Sequence, residues 1–545
     1  MRKVLSIFFF LSFVYSHAQI SFNRADTLRG GLSKFRVFDV TYYVLKVKVF
    51  PETKSIAGSN SIFFELKNSL DSLQIDLYEN MEIDSIIWRG EQVRFTREYN
   101  AVWLNFSSPI TAGNHFIIIY YHGRPVESER PPWDGGFVWK TDSTGQPWVT
   151  VACQGAGASL WWPNKDHLSD EPDSMRITAT VPEKLICVAN GTLENVFQKN
   201  PGWKTYHWKI SYPINNYNVT LNIADYSIIS DVYITAEMDS LPLDYYVMPF
   251  NQNKAENHFV QVKEMLSCFE KYFGPYPFIN DGYKLIETPY LGMEHQSAIA
   301  YGNKYINNEF GFDFIIVHES GHEYWGNSIS AWDNGQMWIH EAFTTYMESL
   351  LVECRQDYQT AIAYLETQKP LIKNEMAIEQ PVGINFNHWN DADMYYKGTW
   401  MLHTIRNIVD DDDKWFNLLR QLYETYKISI VNSNQITQFI DRYTTHDLAP
   451  VFEQYLRRPN PPVLQYYWQQ ENNNWKLYFR WHEVVEDFKM PVKFKTGNQT
   501  HTIVPTRDWQ SGNLKNKNDF SWATQLYYFI PQNVKEDTKE QIDME

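Results

Sequence analysis

The chain reads Ile315-Ile316-Val317-His318-Glu319-Ser320-Gly321-His322-Glu323-Tyr324-Trp325 at its most informative point. Residues four apart on a helix share one face, so His318 and His322 can direct two imidazoles at one metal ion. Glu319 follows the first histidine and can reach a water on that metal without binding the metal itself. The spacing is typical of a zinc hydrolase, in which the histidines are ligands and the glutamate is the general base.

A third ligand follows at Glu341, nineteen positions after His322, where a second amphipathic helix begins. Two histidines and one glutamate leave the fourth tetrahedral position of zinc to water, which is the arrangement of a catalytic site. Such residues also occur on ordinary helices, but the complete spacing is far more specific than the five-residue motif alone. We therefore predict one Zn²⁺ per chain, held by His318, His322 and Glu341.

The N-terminus has the pattern of a secretory signal. Arg2 and Lys3 precede the apolar run from Val4 to Tyr15, and the small-residue cleavage site follows as Ser16-His17-Ala18. The apolar run is too short to span a membrane, and no later stretch approaches the roughly 20 apolar residues that a span needs. We predict a signal peptide at residues 1–18 and a mature protein that is periplasmic or extracellular and not inserted in a membrane. A retained N-terminal anchor is the alternative.

The net charge and the cysteine content limit the classes of partner and of fold that the sequence allows. The chain has 48 basic and 65 acidic residues and a net charge of −17. This argues against a nucleic-acid partner, because such a partner needs a basic face. Four cysteines are too few for a dense disulfide framework, and they permit three full pairings that the sequence cannot rank. They are Cys153, Cys187, Cys268 and Cys354.

Hydrophobic patterning divides the mature chain into three parts. Residues 19–240 read as strands separated by turn residues, with apolar runs at 40–49, 61–66 and 115–121. Residues 241–458 are mostly helical, because apolar residues recur at helical spacing from Phe259 to Phe273. Between these helices, Tyr283 to Glu287 reads as a strand. An acidic run at residues 410–413 precedes a further helix, and we interpret it as a helix cap rather than a calcium site.

A breaker cluster, Arg458-Pro459-Asn460-Pro461-Pro462, begins the third part. Short strands predict a small β-sandwich over residues 459–535, and a polar tail follows at 536–545. The expected strands are 475–481, 490–495, 502–505 and 525–530.

The zinc-binding pattern from His318 to Asn327, with the downstream Trp338-Ile339-His340-Glu341-Ala342-Phe343, resembles the aminopeptidase N family of zinc metallopeptidases. These are gluzincins, and they include leukotriene-A hydrolase. The likeness extends from about Phe38 to about Tyr455. It implies a multidomain α+β fold, with an N-terminal β saddle domain, a thermolysin-like catalytic domain and a C-terminal β-sandwich. Large members of the family add a helical C-terminal domain. This chain is expected to end too soon to include one, so we expect a more open cleft.

The family's exopeptidase motif, Gly-x-Met-Glu-Asn, resembles Leu291-Gly292-Met293-Glu294-His295. The resemblance implies that Glu294 holds the α-ammonium of the substrate and that Gly292 and Met293 belong to the binding loop. A carboxylate fixed beside the scissile bond selects a charged amine. Leu291 and His295 depart from the motif, and a glutamate in an exposed loop is the alternative. The position of His295 beside Glu294 favours a role in shaping the pocket over that of a fourth metal ligand.

Two further segments resemble the family. The segment from Cys153 to Asp166 places Gln154 where the family has a residue that binds the substrate N-terminus, although a glutamine that bonds a loop backbone is the alternative. Tyr395-Tyr396-Lys397-Gly398 resembles the family's Tyr-Glu-Lys-Gly, so Tyr395 is implied to donate a hydrogen bond to the oxyanion. Tyr396 stands at the Glu position, and the adjacent tyrosines leave a shift of one residue open.

Taken together, these resemblances imply a zinc aminopeptidase that acts on peptides with a free N-terminus. Zinc would activate a water, Glu319 would act as general base, and Tyr395 would stabilise the oxyanion. The alternatives are an endopeptidase or an epoxide hydrolase on the same scaffold, or a non-catalytic peptide-binding protein. The preferred first residue, the peptide length limit and the oligomeric state do not follow from the sequence.

Overall fold

The structure is a computed structural model that describes residues 22–471, 474–514, 517 and 519–534. The predicted signal peptide at 1–18 and the tail at 536–545 lie outside the described residues. Within the described ranges, no helix combines the length and the apolar character that a membrane crossing requires.

Most helices lie between residues 252 and 457, and one short helix lies near the N-terminus. The expected amphipathic helix is confirmed as α3, which ends at Phe273 before Gly274. The helices are α1 (Arg24–Gly30), α2 (Gln252–His258), α3 (Gln261–Phe273), α4 (Phe314–Gly321), α5 (Trp338–Arg355), α6 (Tyr358–Gln368), α7 (Asp393–Val409), α8 (Asp412–Tyr426), α9 (Ser433–Thr444) and α10 (Ala449–Arg457).

The N-terminal part is built from three sheets, as its apolar runs predicted, while helix α1 was not expected. Its strands are β1 (Asp39–Phe50), β2 (Ser55–Leu66), β3 (Leu70–Asp76), β4 (Met81–Trp88), β5 (Glu91–Gln92), β6 (Arg94–Glu98), β7 (Ala101–Ile110), β8 (Gly113–Gly123), β9 (Gly136–Thr141), β10 (Pro147–Ala152), β11 (Ser174–Pro182), β12 (Ile186–Ala189), β13 (Thr192–Phe197), β14 (Trp203–Ile210) and β15 (Leu221–Ala224). The largest sheet has the order β13-β14-β11-β1-β2-β8-β4-β5. Strand β1 buries alternate residues only beyond a register shift between Val40 and Tyr42, which explains its imperfect alternation in sequence.

A five-stranded sheet of order β16-β17-β18-β20-β19 positions the metal-binding helix. Its strands are β16 (Ser227–Ile234), β17 (Ser240–Val247), β18 (Tyr283–Glu287), β19 (Gly292–Met293) and β20 (Ile299–Tyr301). The expected strand at β18 is confirmed, and it is buried throughout between two parallel neighbours. The predicted boundary after residue 240 falls at the first residue of β17, which pairs with β16 in the same sheet. Two short strands, β21 (Ile329–Ala331) and β22 (Ser429–Val431), pair in parallel. They join the segment after α4 to the segment after α8.

The C-terminal part consists of two sheets, β27-β24-β23-β29 and β26-β25-β28, with aromatic side chains between them. Its strands are β23 (Val463–Glu471), β24 (Asn474–His482), β25 (Val492–Thr496), β26 (Gln499–Ile503), β27 (Gln510–Leu514), β28 (Phe520–Trp522) and β29 (Ile530–Asn533). The prediction of a strand at 525–530 is wrong, because β29 begins only at Ile530. The preceding aromatic residues instead dock on helix α7, where Tyr527 OH donates to Asn407 O at 3.2 Å and Tyr528 N to Thr404 Oγ1 at 3.0 Å.

Two smaller predictions concern the acidic run and the cysteines. Asp411 is the N-cap of α8 and accepts from Lys414 N at 3.0 Å, so the capping interpretation is confirmed. Cys268 and Cys354 form a disulfide between α3 and α5. Cys153 and Cys187 are buried as thiols, so none of the three full pairings occurs.

Candidate metal centre and substrate cleft

Helix α4 carries the histidines, and its first turn is anchored by Asp313. The carboxylate of Asp313 caps the helix by accepting from Ile315 N at 3.1 Å, and it also accepts from Tyr301 OH at 2.7 Å. At the other end, Gly321 permits a close approach of α5, since a β-carbon there would stand 3.0 Å from Thr344 Cγ2. The close approach of α4 and α5 brings Glu341 opposite the histidines.

The three predicted ligands converge. His318 Nε2 and His322 Nε2 are 3.2 Å apart, and Glu341 Oε2 lies 3.5 Å from the first and 3.3 Å from the second. Zinc bonds of 2.0–2.1 Å at tetrahedral angles place ligand atoms about 3.3 Å apart. The donor set therefore fits a zinc ion in both chemistry and spacing.

The remaining nitrogen of each histidine is held by a second partner. His318 Nδ1 lies 2.8 Å from Glu348 Oε1, and His322 Nδ1 lies 2.9 Å from Trp325 O. These contacts fix the ring orientations and leave both Nε2 atoms to face the metal position. Tyr364 OH donates to the other carboxylate oxygen of Glu348. Sequence reasoning missed Glu348, although its position seven residues after Glu341 places both on one helix face.

The electrostatics of the three ligands match a cation site. Burial alone would raise the pKa of Glu341, but the two imidazoles hold it well below its usual value. Burial would lower the pKa of His318, yet the carboxylates of Glu341 and Glu348 raise it well above its usual value. A dication bound between these ligands would compensate the buried negative charge of the carboxylates.

Glu319 is buried beside the ligands without joining them. Burial raises the pKa of its carboxyl to about 8, and a dication bound beside it shifts that pKa downward. Carboxylate and imidazole atoms of Glu319, Glu294 and His322 lie within 4.8 Å of one another. The expected general base therefore lies close to both a metal ligand and the expected ammonium site.

Glu294 is buried and its carboxylate is oriented by two donors. Gln154 Nε2 donates to Glu294 Oε1 at 2.7 Å, and Tyr217 OH donates to the same oxygen at 2.9 Å. Asn327 Nδ2 holds the backbone by donating to Glu294 O at 2.9 Å. The structure thus brings Gln154 and Glu294 together as predicted. Tyr217 was missed, because no local motif marks a tyrosine that reaches the site from the N-terminal part.

The structure corrects the expectation for His295. Gly292, Met293 and Glu294 line the cleft, whereas His295 is fully buried away from it. Neither ring nitrogen of His295 has a hydrogen-bond partner among the described residues, and burial lowers its pKa to about 3. Glu294 lines the cleft, whereas the next residue, His295, is buried and is not among the residues that line it.

Tyr395 lies at the metal ligands, in the first turn of α7. Its ring stacks on His318 at 5.9 Å between centroids, and its hydroxyl interacts with Glu341. Burial and the nearby carboxylates raise the pKa of Tyr395 well above 10, so the phenol stays a donor. Tyr396 instead faces Glu348. The geometry resolves the choice between adjacent tyrosines in favour of Tyr395.

The metal ligands, together with Glu319, Glu294, Gln154 and Tyr395, line one cleft with a volume of about 860 Å³. Its charged lining is mostly acidic, and Arg130 is the one lysine or arginine among its described lining residues. Aromatic side chains form much of the remaining wall, namely Trp133, Phe314, Tyr364, Phe386, Trp389, Tyr395 and Tyr396. A mixed apolar and acidic cleft suits a peptide whose amine is charged.

Comparison with known proteins finds a family match over the segment that contains the candidate metal ligands. Residues 258–455 match the Peptidase family M1 domain. Mouse aminopeptidase B is 22% identical over 290 residues, which cover 48% of this chain and 43% of that protein. Leukotriene A-4 hydrolase of Xenopus laevis is 21% identical over 445 residues, which cover 74% of this chain and 68% of that protein. The chain thus spans less than half the length of aminopeptidase B.

Solved structures show the same fold. An M1 zinc metallopeptidase from Deinococcus radiodurans superposes with a TM-score of 0.65 at 19% identity, covering 78% of this chain and 94% of that chain. Native yeast LTA4 hydrolase superposes with a TM-score of 0.67 at 18% identity, covering 79% and 70%. The predicted α+β fold is confirmed, and the match over residues 258–455 agrees with the family resemblance. The donor set of this chain fits a zinc ion.

Proposed function

We propose that this chain, which carries a Peptidase family M1 domain, is a zinc aminopeptidase that removes single residues from the free N-terminus of peptides. The observation that carries the proposal is the position of the Glu294 carboxylate within 4.8 Å of Glu319 and His322. The α-nitrogen and the carbonyl carbon of one residue are two bonds apart. An ammonium bound by Glu294 therefore places the first peptide bond, and no later one, beside Glu319.

Glu294 is prepared to receive that ammonium. Its Oε1 already accepts from Gln154 and Tyr217, while Oε2 accepts no hydrogen bond from the described residues. Gln154 directs its amide nitrogen at Glu294, and its amide oxygen is an acceptor that an ammonium can use. The substrate ammonium replaces water at these oxygens and gains a charge-assisted contact.

Two side chains, together with a bound zinc ion, would then act on the first peptide bond. Zinc, when bound by His318, His322 and Glu341, supplies a Lewis acid that polarises the carbonyl and acidifies water. Glu319 accepts the proton of the attacking water and passes it to the leaving nitrogen. Tyr395 donates its hydroxyl hydrogen to the oxygen that becomes negative in the tetrahedral state.

We also propose that the protein works outside the cytoplasm, in the periplasm or beyond the cell. The signal pattern at residues 1–18 is the first support. The Cys268–Cys354 disulfide is the second, because disulfides persist in oxidising compartments.

The alternatives predict different substrates. An endopeptidase must accept an amide where Glu294 stands, which leaves a buried carboxylate without a cationic partner and is unfavourable. No feature of the described cleft specifically favours an epoxide substrate or a purely binding role. These alternatives therefore serve as outcomes of the test.

The test compares aminoacyl-anilides that have a free amine with the same compounds after N-acetylation. We expect hydrolysis of the free compounds only, its loss with a zinc chelator and its return when zinc is added. Cleavage of acetylated peptides at internal bonds would indicate an endopeptidase. Turnover of an epoxide alone would indicate an epoxide hydrolase, and peptide binding without turnover a binding protein.

A further inference from the structure

The short helix α1 lies between two loops that line the cleft. On one side, Arg29 Nη1 donates to Gly155 O at 2.7 Å, directly after Gln154. On the other side, Gly30 lies against the backbone of Asn385, where a β-carbon would stand 1.9 Å from Asn385 N. Gln154 and Gly155 of the first loop, and Phe386 of the second, line the cleft. Helix α1 thus holds both walls without lining the cleft itself.

The guanidinium of Arg29 is fixed on its other edge by Asp166. Arg29 Nε donates to Asp166 Oδ2 at 3.2 Å, and the pair is mostly buried. Asp166 is itself held, because its Oδ2 accepts from Ser159 N at 3.1 Å and its own N–H donates to Asp76 Oδ2 at 3.0 Å. The donors of a guanidinium lie in one rigid plane. The contact of Arg29 with Asp166 therefore also fixes the direction in which Arg29 donates to Gly155 O.

The loop that Arg29 contacts has two internal backbone hydrogen bonds, from Ala156 N to Gln154 O at 2.8 Å and from Gly157 N to Cys153 O at 2.6 Å, but its two glycines leave its backbone otherwise weakly restrained. Gly155 and Gly157 have φ values of +72° and +95°, a region that glycine enters at no steric cost and leaves as easily. Gly157 lies under the guanidinium, since a β-carbon there would stand 1.9 Å from Arg29 Nη2. Tyr78 OH adds one further anchor by donating to Ala156 O at 3.0 Å. The side-chain bonds therefore hold this glycine-rich loop, and with it Gln154, in place.

We propose that Arg29 is a positioning residue for recognition of the substrate N-terminus: it fixes the glycine-rich loop so that Gln154 meets Glu294. The inference rests on the proposed function, because it concerns the same ammonium site. Arg29 touches neither Glu294 nor a metal ligand, so its effect passes through the loop. Loosening the loop frees Gln154 and lets the Glu294 carboxylate turn, which weakens binding of the ammonium before it affects the chemistry.

The test measures KM and kcat on a free aminoacyl-anilide, together with inhibition by free L-leucine and L-phenylalanine. Arg29→Ala alone leaves Asp166 buried without its partner, so the main variant is Arg29→Ala with Asp166→Asn. We expect KM and the inhibition constants to rise roughly tenfold, as for the loss of one charge-assisted contact, with kcat and zinc content little changed. Tyr78→Phe should act in the same direction with a smaller effect, and Arg29→Lys should restore part of the affinity.

Arg24→Ala is the matched control, because Arg24 lies on the same helix and pairs with Glu98 at the surface. It should leave all constants unchanged. A lowered melting temperature with unchanged KM in the Arg29 and Tyr78 variants would overturn the inference. If Glu294→Gln raises KM while these variants do not, only the positioning role fails. If Glu294→Gln also leaves KM and the selectivity against acetylated substrates unchanged, the proposed function itself fails.

Discussion

Gly292 on strand β19 lies directly against the carboxylate of Glu319. A β-carbon at residue 292 would stand 2.5 Å from Glu319 Oε1 and 2.9 Å from Ile315 Cγ2. The strand that presents Glu294 to the cleft therefore also defines the space in which the general base sits. Recognition of the amine and activation of water depend on one short piece of backbone.

Substitution Gly292→Ala should displace the base without removing the metal. The added methyl group overlaps the carboxylate, and a shift of about 1 Å at a reacting group costs on the order of 100-fold in rate. We expect kcat to fall at least roughly tenfold with zinc content unchanged, as measured by steady-state kinetics and metal analysis. Gly512→Ala is the control, because a β-carbon at residue 512 meets no atom within 4 Å. Unchanged kcat in Gly292→Ala would show that the base tolerates this movement.

Substitution Glu319→Gln should keep the zinc and remove nearly all turnover. The amide retains the shape of the side chain but accepts no proton, and general-base catalysis contributes roughly 10²–10⁴-fold. Zinc stoichiometry and the rate on an aminoacyl-anilide are the two measurements. A variant that stays fully active would remove Glu319 from the mechanism.

Tyr395→Phe should lower kcat by roughly 10²–10³-fold with a smaller change in KM, because the lost donor acts on charge that develops during the reaction. Tyr396→Phe is a matched control on the adjacent residue, whose hydroxyl faces Glu348 rather than Glu341. We expect it to retain most activity in the same kinetic assay. The opposite ranking of the two variants would move the oxyanion donor to residue 396.

Glu348→Gln should weaken zinc binding by roughly 10–100-fold, since it removes the charge that orients and polarises His318. Competition with a chromogenic chelator measures the affinity directly, and activity should return at saturating zinc. Glu366→Gln, on the exposed surface of α6, should leave the affinity unchanged. An unaltered zinc affinity in Glu348→Gln would mean that its contact at 2.8 Å contributes little to the site.

Thiol titration should distinguish three states of the chain. The native protein should show no reactive thiol, because Cys268 and Cys354 are bonded and burial raises the pKa of the Cys153 and Cys187 thiols. Unfolding in denaturant should expose two thiols, and unfolding with reductant should expose four. Four thiols without reductant would show that the disulfide is absent in solution.

The metal ligands were predictable because their signal is local. His318 and His322 share a helix face at a fixed spacing, and Glu341 begins the next helix at a separation that few folds use. Asp411 at a helix start and the strand from Tyr283 to Glu287 were predictable for the same reason, since caps and buried runs depend on near neighbours.

The supporting contacts were not predictable, because they join distant parts of the chain. Tyr217 reaches Glu294 across 77 positions, and no periodicity marks it. His295 was misplaced because a motif records which residue follows Glu294 but not which way its side chain points. The apolar and aromatic run from Leu526 to Phe529 resembles a strand in sequence, but contacts with helix α7 decide its conformation.

The contact between Gly30 and Asn385 joins residues more than 350 positions apart. A ribosome that adds about 5–20 residues per second makes the second partner roughly 20–70 s after the first. Helix α1 can therefore contact Glu98, Gly155 and Asp166 early in synthesis, but its second loop is made only later. The wall of the cleft near Asn385 and Phe386 therefore takes its final shape only after the metal ligands have been made, although the residues proposed to bind the peptide amine are synthesised earlier.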